Sequence, residues 1–102
     1  MARKRPPNRR NSRTREFVHD GVTIILDEGF YPDGTRCEIF ANAMPANSMI
    51  DALLSDAAII LSFALQYGAS IEEIAPALKR DRFGLASSHI GAAVDRLTEA
   101  KP

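Results

Sequence analysis

Gly29-Phe30-Tyr31-Pro32-Asp33-Gly34-Thr35-Arg36-Cys37-Glu38-Ile39-Phe40 reads as the end of one strand, a tight reversal and the start of the next. Pro32 presets φ for a turn, Asp33 has a side chain short enough to bond forward to main-chain amides, and Gly34 supplies the positive φ that closes it. Upstream, Val22, Ile24 and Leu26 alternate with Thr23, Ile25 and Asp27, and the β-branched content suits a half-buried strand. Downstream, Cys37, Ile39 and Ala41 alternate with Glu38 and Phe40. An antiparallel hairpin is therefore expected, and Phe17-Val18 ahead of Asp20-Gly21 is the candidate for a third strand.

The hairpin runs almost directly into an apolar stretch, Ser48 to Tyr67. Ser48 is a suitable N-cap and Gly68 a suitable C′ residue for a helix of about five turns. Asp51, Ser55, Ser62 and Gln66 fall on one narrow stripe, and apolar side chains cover most of the remaining circumference. Such a helix must be enclosed. One small hairpin and two short helices offer little cover, so the expectation is a homo-oligomer, a dimer, with Leu54, Ala57, Ala58, Leu61, Ala64 and Leu65 at the interface. Asp51 and Asp56 interrupt the stretch and argue against a membrane span.

Ser70-Ile71-Glu72-Glu73 is a capping box that opens a second helix, which Pro76 should kink and Lys79-Arg80-Asp81-Arg82 should end. Ser87-Ser88 can cap a third helix carrying Ile90, Ala93, Val94 and Leu97. The expected class is α+β: a small antiparallel β-hairpin of two or three strands, a long buried helix and two shorter helices.

The chain has 102 residues and a formal net charge of zero, but the balance is uneven. Arg3, Lys4, Arg5, Arg9, Arg10, Arg13 and Arg15 all precede the first acid, Glu16. Residues 1–15, rich also in Pro and Asn, lack an apolar period and are expected to form a disordered basic arm. Residues 16–102 form the domain, whose acidic surplus should repel nucleic acid. No apolar run follows the basic start as a signal peptide would require, so a cytoplasmic location is expected. Cys37 is the only cysteine, which excludes an internal disulfide or a cysteine-rich metal site.

Phe30-Tyr31-Pro32-Asp33-Gly34, Glu38-Ile39-Phe40, Ala52-Leu53-Leu54-Ser55-Asp56-Ala57-Ala58 and Ala64-Leu65-Gln66-Tyr67-Gly68 together resemble the TSCPD domain found near the C-terminus of vitamin B12-dependent ribonucleotide reductases. Arg80-Asp81 and Ser87-Ser88-His89-Ile90-Gly91-Ala92-Ala93 look like the tail of short stand-alone members of that family. The resemblance covers about residues 20 to 97 and implies a place in deoxynucleotide synthesis. It ties adenosylcobalamin to the chain by family association alone. Such reductases need several cysteines, whereas this chain has one, so no catalytic residue carries over and the chain is not expected to be an enzyme alone.

Among candidate sites, Arg80 and Arg82 close before Ser87, Ser88 and His89 at a helix start would make a nucleotide-phosphate seat, against the plainer reading of a cap plus solvated charges. Ser88, His89 and Asp95 lack a nucleophile elbow and do not read as a hydrolase. Asp51 and Asp56 lie about 140 degrees apart on a helix and do not share a site. His19 and His89, without partners at ligand spacing, do not suggest zinc. Cys37 reads as a small buried filler, and Phe30, Tyr31 and Phe40 as core aromatics. The seven cations of the arm could bind nucleic acid phosphates or fold back over the acidic body. Two functions follow: a non-catalytic module of the reductase family that binds a nucleotide or a reductase chain, and a nucleic-acid-binding dimer that uses its arm.

Overall fold

The computed structural model describes residues 2–99. Its elements run β1 (Ser12–His19), β2 (Val22–Phe30), β3 (Arg36–Ala43), α1 (Met49–Gln66), α2 (Ile71–Ile74), a 3-10 turn (Ala75–Ala77) and α3 (His89–Glu99). The strands form an antiparallel sheet in the order β1-β2-β3. This is the α+β architecture that the hairpin and the apolar helix imply. The third strand is longer than Phe17-Val18, because Ser12, Arg13, Thr14 and Arg15 pair with Gly29, Glu28, Asp27 and Leu26. A boundary at residue 15 therefore cuts through β1. Arg13 and Arg15 hold inward strand positions that hydropathy reads as solvated, and they do so because the carboxylate of Glu28 lies between them.

The reversal between β2 and β3 closes as its residues dictate. Tyr31 N donates to Thr35 O at 2.8 Å, and Gly34 N donates to Tyr31 O at 2.9 Å. Gly34 has φ +89°, a conformation that costs a side-chain-bearing residue, and Asp33 Oδ1 accepts from Thr35 N at 2.9 Å. Gly29 has a different reason to be glycine. A Cβ there would lie 2.6 Å from Glu38 Oε2, directly under the Glu38 side chain.

Registers place Phe17, Ile24 and Ala43 in one row across the sheet, Arg15, Leu26 and Ala41 in the next, and Arg13, Glu28 and Ile39 in the third. This face packs against α1 and α3, with Ile24, Leu26, Ile39, Leu54, Val94 and Leu97 fully buried. The inner surface thus passes from apolar to charged along the strands. Phe40 projects from the opposite face and is exposed, so it is not the core aromatic the sequence implies, whereas Tyr31 is buried.

Ser48 caps α1 by accepting from Asp51 N, and Gly68, at φ +106°, ends it. The polar stripe of α1 faces inward. Asp51 Oδ1 accepts from Ala43 N at 2.9 Å, Ser55 Oγ donates to Ala41 O at 3.0 Å, Ser62 Oγ lies 2.8 Å from both N and O of Ile39, and Gln66 Nε2 donates to Cys37 O at 2.9 Å. The helix therefore serves the free edge of β3 as a fourth strand would, satisfying groups that are costly to bury unpaired. By length and composition alone α1 could cross a membrane, with a mean hydropathy of 1.6.

This orientation corrects the expected interface. Leu54, Ala58, Leu61 and Leu65 are buried within the chain's own core, beside the stripe that bonds to β3. The outward surface carries Met49, Leu53, Ile59, Ile60 and Phe63, with Leu53 64% and Ile60 70% exposed. The second helix is also shorter than expected. The Ser70–Glu73 capping box is present, but α2 completes one turn before Pro76 draws the chain into the 3-10 turn and Leu78 into extended backbone. Ser88 Oγ accepts from Gly91 N at 2.9 Å at the start of α3.

Candidate anion-binding cleft

Glu28 is fully buried and receives three guanidinium groups: Arg13 at 2.9 Å, Arg15 at 2.7 Å and Arg36 at 2.8 Å. Burial acts to raise its pKa, but the hydrogen bonds from Arg13, Arg36 and Arg15 outweigh burial and hold the carboxyl down at about 2, from an ordinary 4.5. Two of the three reach further. Arg36 Nη2 donates to Leu97 O at 2.9 Å and Arg15 Nη1 to Arg96 O at 3.5 Å, so cations meet the C-terminal carbonyls of α3 where the helix dipole favours them. One carboxylate neutralises one guanidinium, and among the described residues the cluster retains a positive surplus.

Arg13 and Arg36 carry that surplus to a cleft of about 810 Å³ at the turn end of the β2–β3 hairpin, which also has Lys4, Phe30, Tyr31, Tyr67 and Glu72 in its walls. The N-terminal segment closes one side. Lys4 N donates to Gln66 O at 2.8 Å, the Tyr31 hydroxyl donates to Lys4 O, and Lys4 Nζ stands 4.3 Å from the centre of the Tyr31 ring. Each arginine leaves one terminal nitrogen without a bond to the described residues, since Arg13 uses Nε and Nη2 on Glu28 while Arg36 uses Nε on Glu28 and Nη2 on Leu97. Guanidinium groups fixed beside aromatic rings, each with one terminal nitrogen left over, are suited to an anion such as phosphate.

The phosphate seat inferred from sequence does not assemble. Arg80 grips Asp95 through two bonds, of 2.8 and 2.7 Å, and also donates to Gly84 O and Ala75 O. Asp95, in turn, is held below its usual pKa by Arg80 and is no ordinary surface acid. Ser88 is occupied in capping, Arg82 lies over the Phe83 ring, and His89 meets His19 edge-on with ring centres 5.2 Å apart. Ser87 is exposed. The cations of the arm are largely turned onto the body. Arg3 donates to Gln66 Oε1 and stacks on Phe63, Arg10 pairs with Glu38, and Arg13 and Arg15 hold Glu28. Arg5 and Arg9 are exposed. Cys37 is buried, and burial pushes its thiol pKa up.

The sequence reading misses Lys4, Arg13, Arg36 and Tyr67 as members of one site. One signal was available: Arg13, Arg15 and Phe17 share a strand face by their spacing of two, which points both cations the way Phe17 points.

A three-stranded sheet with a helix-capped edge and a cationic, aromatic-walled cleft defines a small α+β domain. The chain belongs to the TSCPD domain family, whose family model matches residues 1–100. It is 35% identical over 81 residues to a vitamin B12-dependent ribonucleotide reductase of Rhodopirellula baltica, covering 79% of this chain and 8% of the reductase. It is 32% identical over 81 residues to the vitamin B12-dependent ribonucleotide reductases of Bradyrhizobium diazoefficiens and Agrobacterium fabrum, covering 79% of this chain and 6% of each. The chain thus spans less than a tenth of the length of these relatives. No solved structure matches it. Among the described residues neither an imidazole nor a thiol lines the cleft, and no residue here is assigned to hold adenosylcobalamin.

Proposed function

We propose that this chain is a non-catalytic module of the vitamin B12-dependent ribonucleotide reductase system, which acts in or regulates deoxynucleotide synthesis in the cytoplasm by binding a nucleotide or a reductase chain. The observation that carries this reading is the match itself, about a third of positions over 79% of the chain yet no more than 8% of any of these reductases. A region that short holds a fraction of an enzyme. The buried Cys37, with its raised pKa, is unsuited to thiolate chemistry.

Self-association completes the reading. The outward face of α1 offers the exposed apolar side chains of Met49, Leu53, Ile60 and Phe63 around Asp56, and a small homo-oligomer would cover them. Nucleic-acid contact through the arm has less support, since Arg3, Arg10, Arg13 and Arg15 bond to the body and Lys4 lies over Tyr31.

The test is affinity capture of a purified vitamin B12-dependent reductase by the full chain, read by mass spectrometry and repeated with nucleotides added. Retention of the reductase, or a nucleotide-dependent thermal shift of the chain, is the expected result. Failure of both overturns the proposal.

A further inference from the structure

We infer that the cleft between the β2–β3 turn, the N-terminal segment and the end of α1 is a nucleotide site, which takes phosphates on Arg13, Arg36 and Lys4 and a base against Tyr67. This rests on the module reading above and gives it a ligand and a location. Lys4, Arg13 and Arg36 line the cleft with Glu72; Glu28 behind the arginines is shared among Arg13, Arg15 and Arg36 and offsets one of them, so a positive surplus remains that favours an anion. The guanidinium groups of Arg13 and Arg36 are already fixed by buried Glu28, which lowers the entropy lost when a phosphate is gripped.

The remaining lining selects an aromatic group. Tyr67 is 45% exposed and lines the cleft together with Phe30, Leu65 and Ile71. The rings of Phe30 and Tyr31 are approached by Arg13 at 5.9 Å and by Lys4 at 4.3 Å, and among the described residues Tyr67 is the lining ring without such a cation. Stacking on an aromatic side chain tolerates any base, so the site discriminates nucleotides from simple anions more than one base from another. A cleft of about 810 Å³ has room for a base, a sugar and phosphates together.

The test is calorimetric titration of the full chain with ATP, adenosine and inorganic tripolyphosphate. ATP should bind, and each fragment should bind at least about tenfold more weakly, since each leaves half of the cleft unfilled. Lys4→Gln and Tyr67→Ala remove exposed side chains outside the core, and each should weaken ATP by about tenfold, the scale of one charge-assisted bond or one stacked ring. Arg82→Gln, remote from the cleft, should leave affinity unchanged. Absence of ATP binding overturns the site, as does tripolyphosphate binding as tightly as ATP, or indifference of ATP affinity to both Lys4→Gln and Tyr67→Ala. Reductase capture without ATP binding would remove the site and leave the module reading standing. ATP binding without reductase capture would keep the site and remove the reductase partner.

Discussion

Ser62 Oγ lies 2.8 Å from the amide nitrogen of Ile39 and 2.8 Å from its carbonyl oxygen, so one helical hydroxyl serves both backbone groups of an edge-strand residue. The hydroxyl accepts from the amide and shares its proton between Ile39 O and Ala58 O, the latter at 2.9 Å. Replacing it leaves two backbone groups dry and unpaired. Ser62→Ala should therefore destabilise the fold by about 2 kcal/mol, the scale of stranded buried polar groups, measured by urea denaturation at neutral pH. A change within a few tenths of a kcal/mol would mean that β3's edge does not depend on this side chain.

Glu28 sets the acid limit. Its folded pKa of about 2 lies below the ordinary 4.5, so its contribution is fully present above about pH 4.5 and is lost as pH falls toward 2. That contribution is on the order of 3 kcal/mol. Glu28→Gln should lower stability at pH 7 by a comparable amount, by leaving three guanidinium groups without their anion, and should flatten the dependence on pH between about 5 and 2. A variant with an unchanged acid profile would show that Glu28 is not the group that titrates.

Leu53 and Ile60 project from the outward face of α1, away from the residues that pack on the sheet. On the proposed self-association, Leu53→Glu together with Ile60→Glu should convert the oligomer to a monomer while circular dichroism remains that of the wild type. Light scattering across a dilution series reads the outcome. A wild-type chain that is already monomeric at micromolar concentration would exclude self-association through this face.

Cys37 has no exposed surface, and its thiol is pushed up by burial first and by the neighbouring Glu38 charge second. Its modification by an aromatic disulfide reagent should be at least about a hundredfold slower in the native chain than in urea, because the thiol must wait for the fold to open. Equal rates in the two conditions would contradict its burial.

Gly29 lies beneath Glu38, which in turn pairs with Arg10 of the N-terminal segment. Gly29→Ala should push the carboxylate aside and release that segment from the body. The expected readout is faster tryptic cleavage after Arg9 and Arg10, with a loss of stability of about 1 to 3 kcal/mol from overpacking. An unchanged cleavage rate would show that the Glu38 contact does not restrain the segment.

The hairpin was legible because each turn residue carries its own local instruction, and Asp33 and Gly34 do in the structure what their chemistry allows. The caps at Ser48 and Ser70 were legible for the same reason. The cleft was not. Lys4, Arg13, Arg36 and Tyr67 come from four segments, and only the pairing of β2 with both β1 and β3 brings Arg13 and Arg36 to Glu28. The phosphate seat weighed at Arg80 and Ser88 gave way because Ser88 is the cap that the plainer reading expected, while sequence proximity does not show that Arg80 has Asp95 as its partner.

Strand alternation, turn chemistry and helix capping are short-range, so the chain's own residues determine the order of its elements and the α+β class. Which side of α1 turns inward is a different matter. The unpaired backbone of β3 draws Asp51, Ser55, Ser62 and Gln66 toward the interior and leaves Leu53 and Ile60 outside, a choice that exists only once an edge strand is present to be satisfied. Tertiary structure alone decided this, because α1 is apolar on most sides and the hydrogen-bond demand of a sheet edge selects the face that also carries Leu54, Ala58, Leu61 and Leu65 into the core.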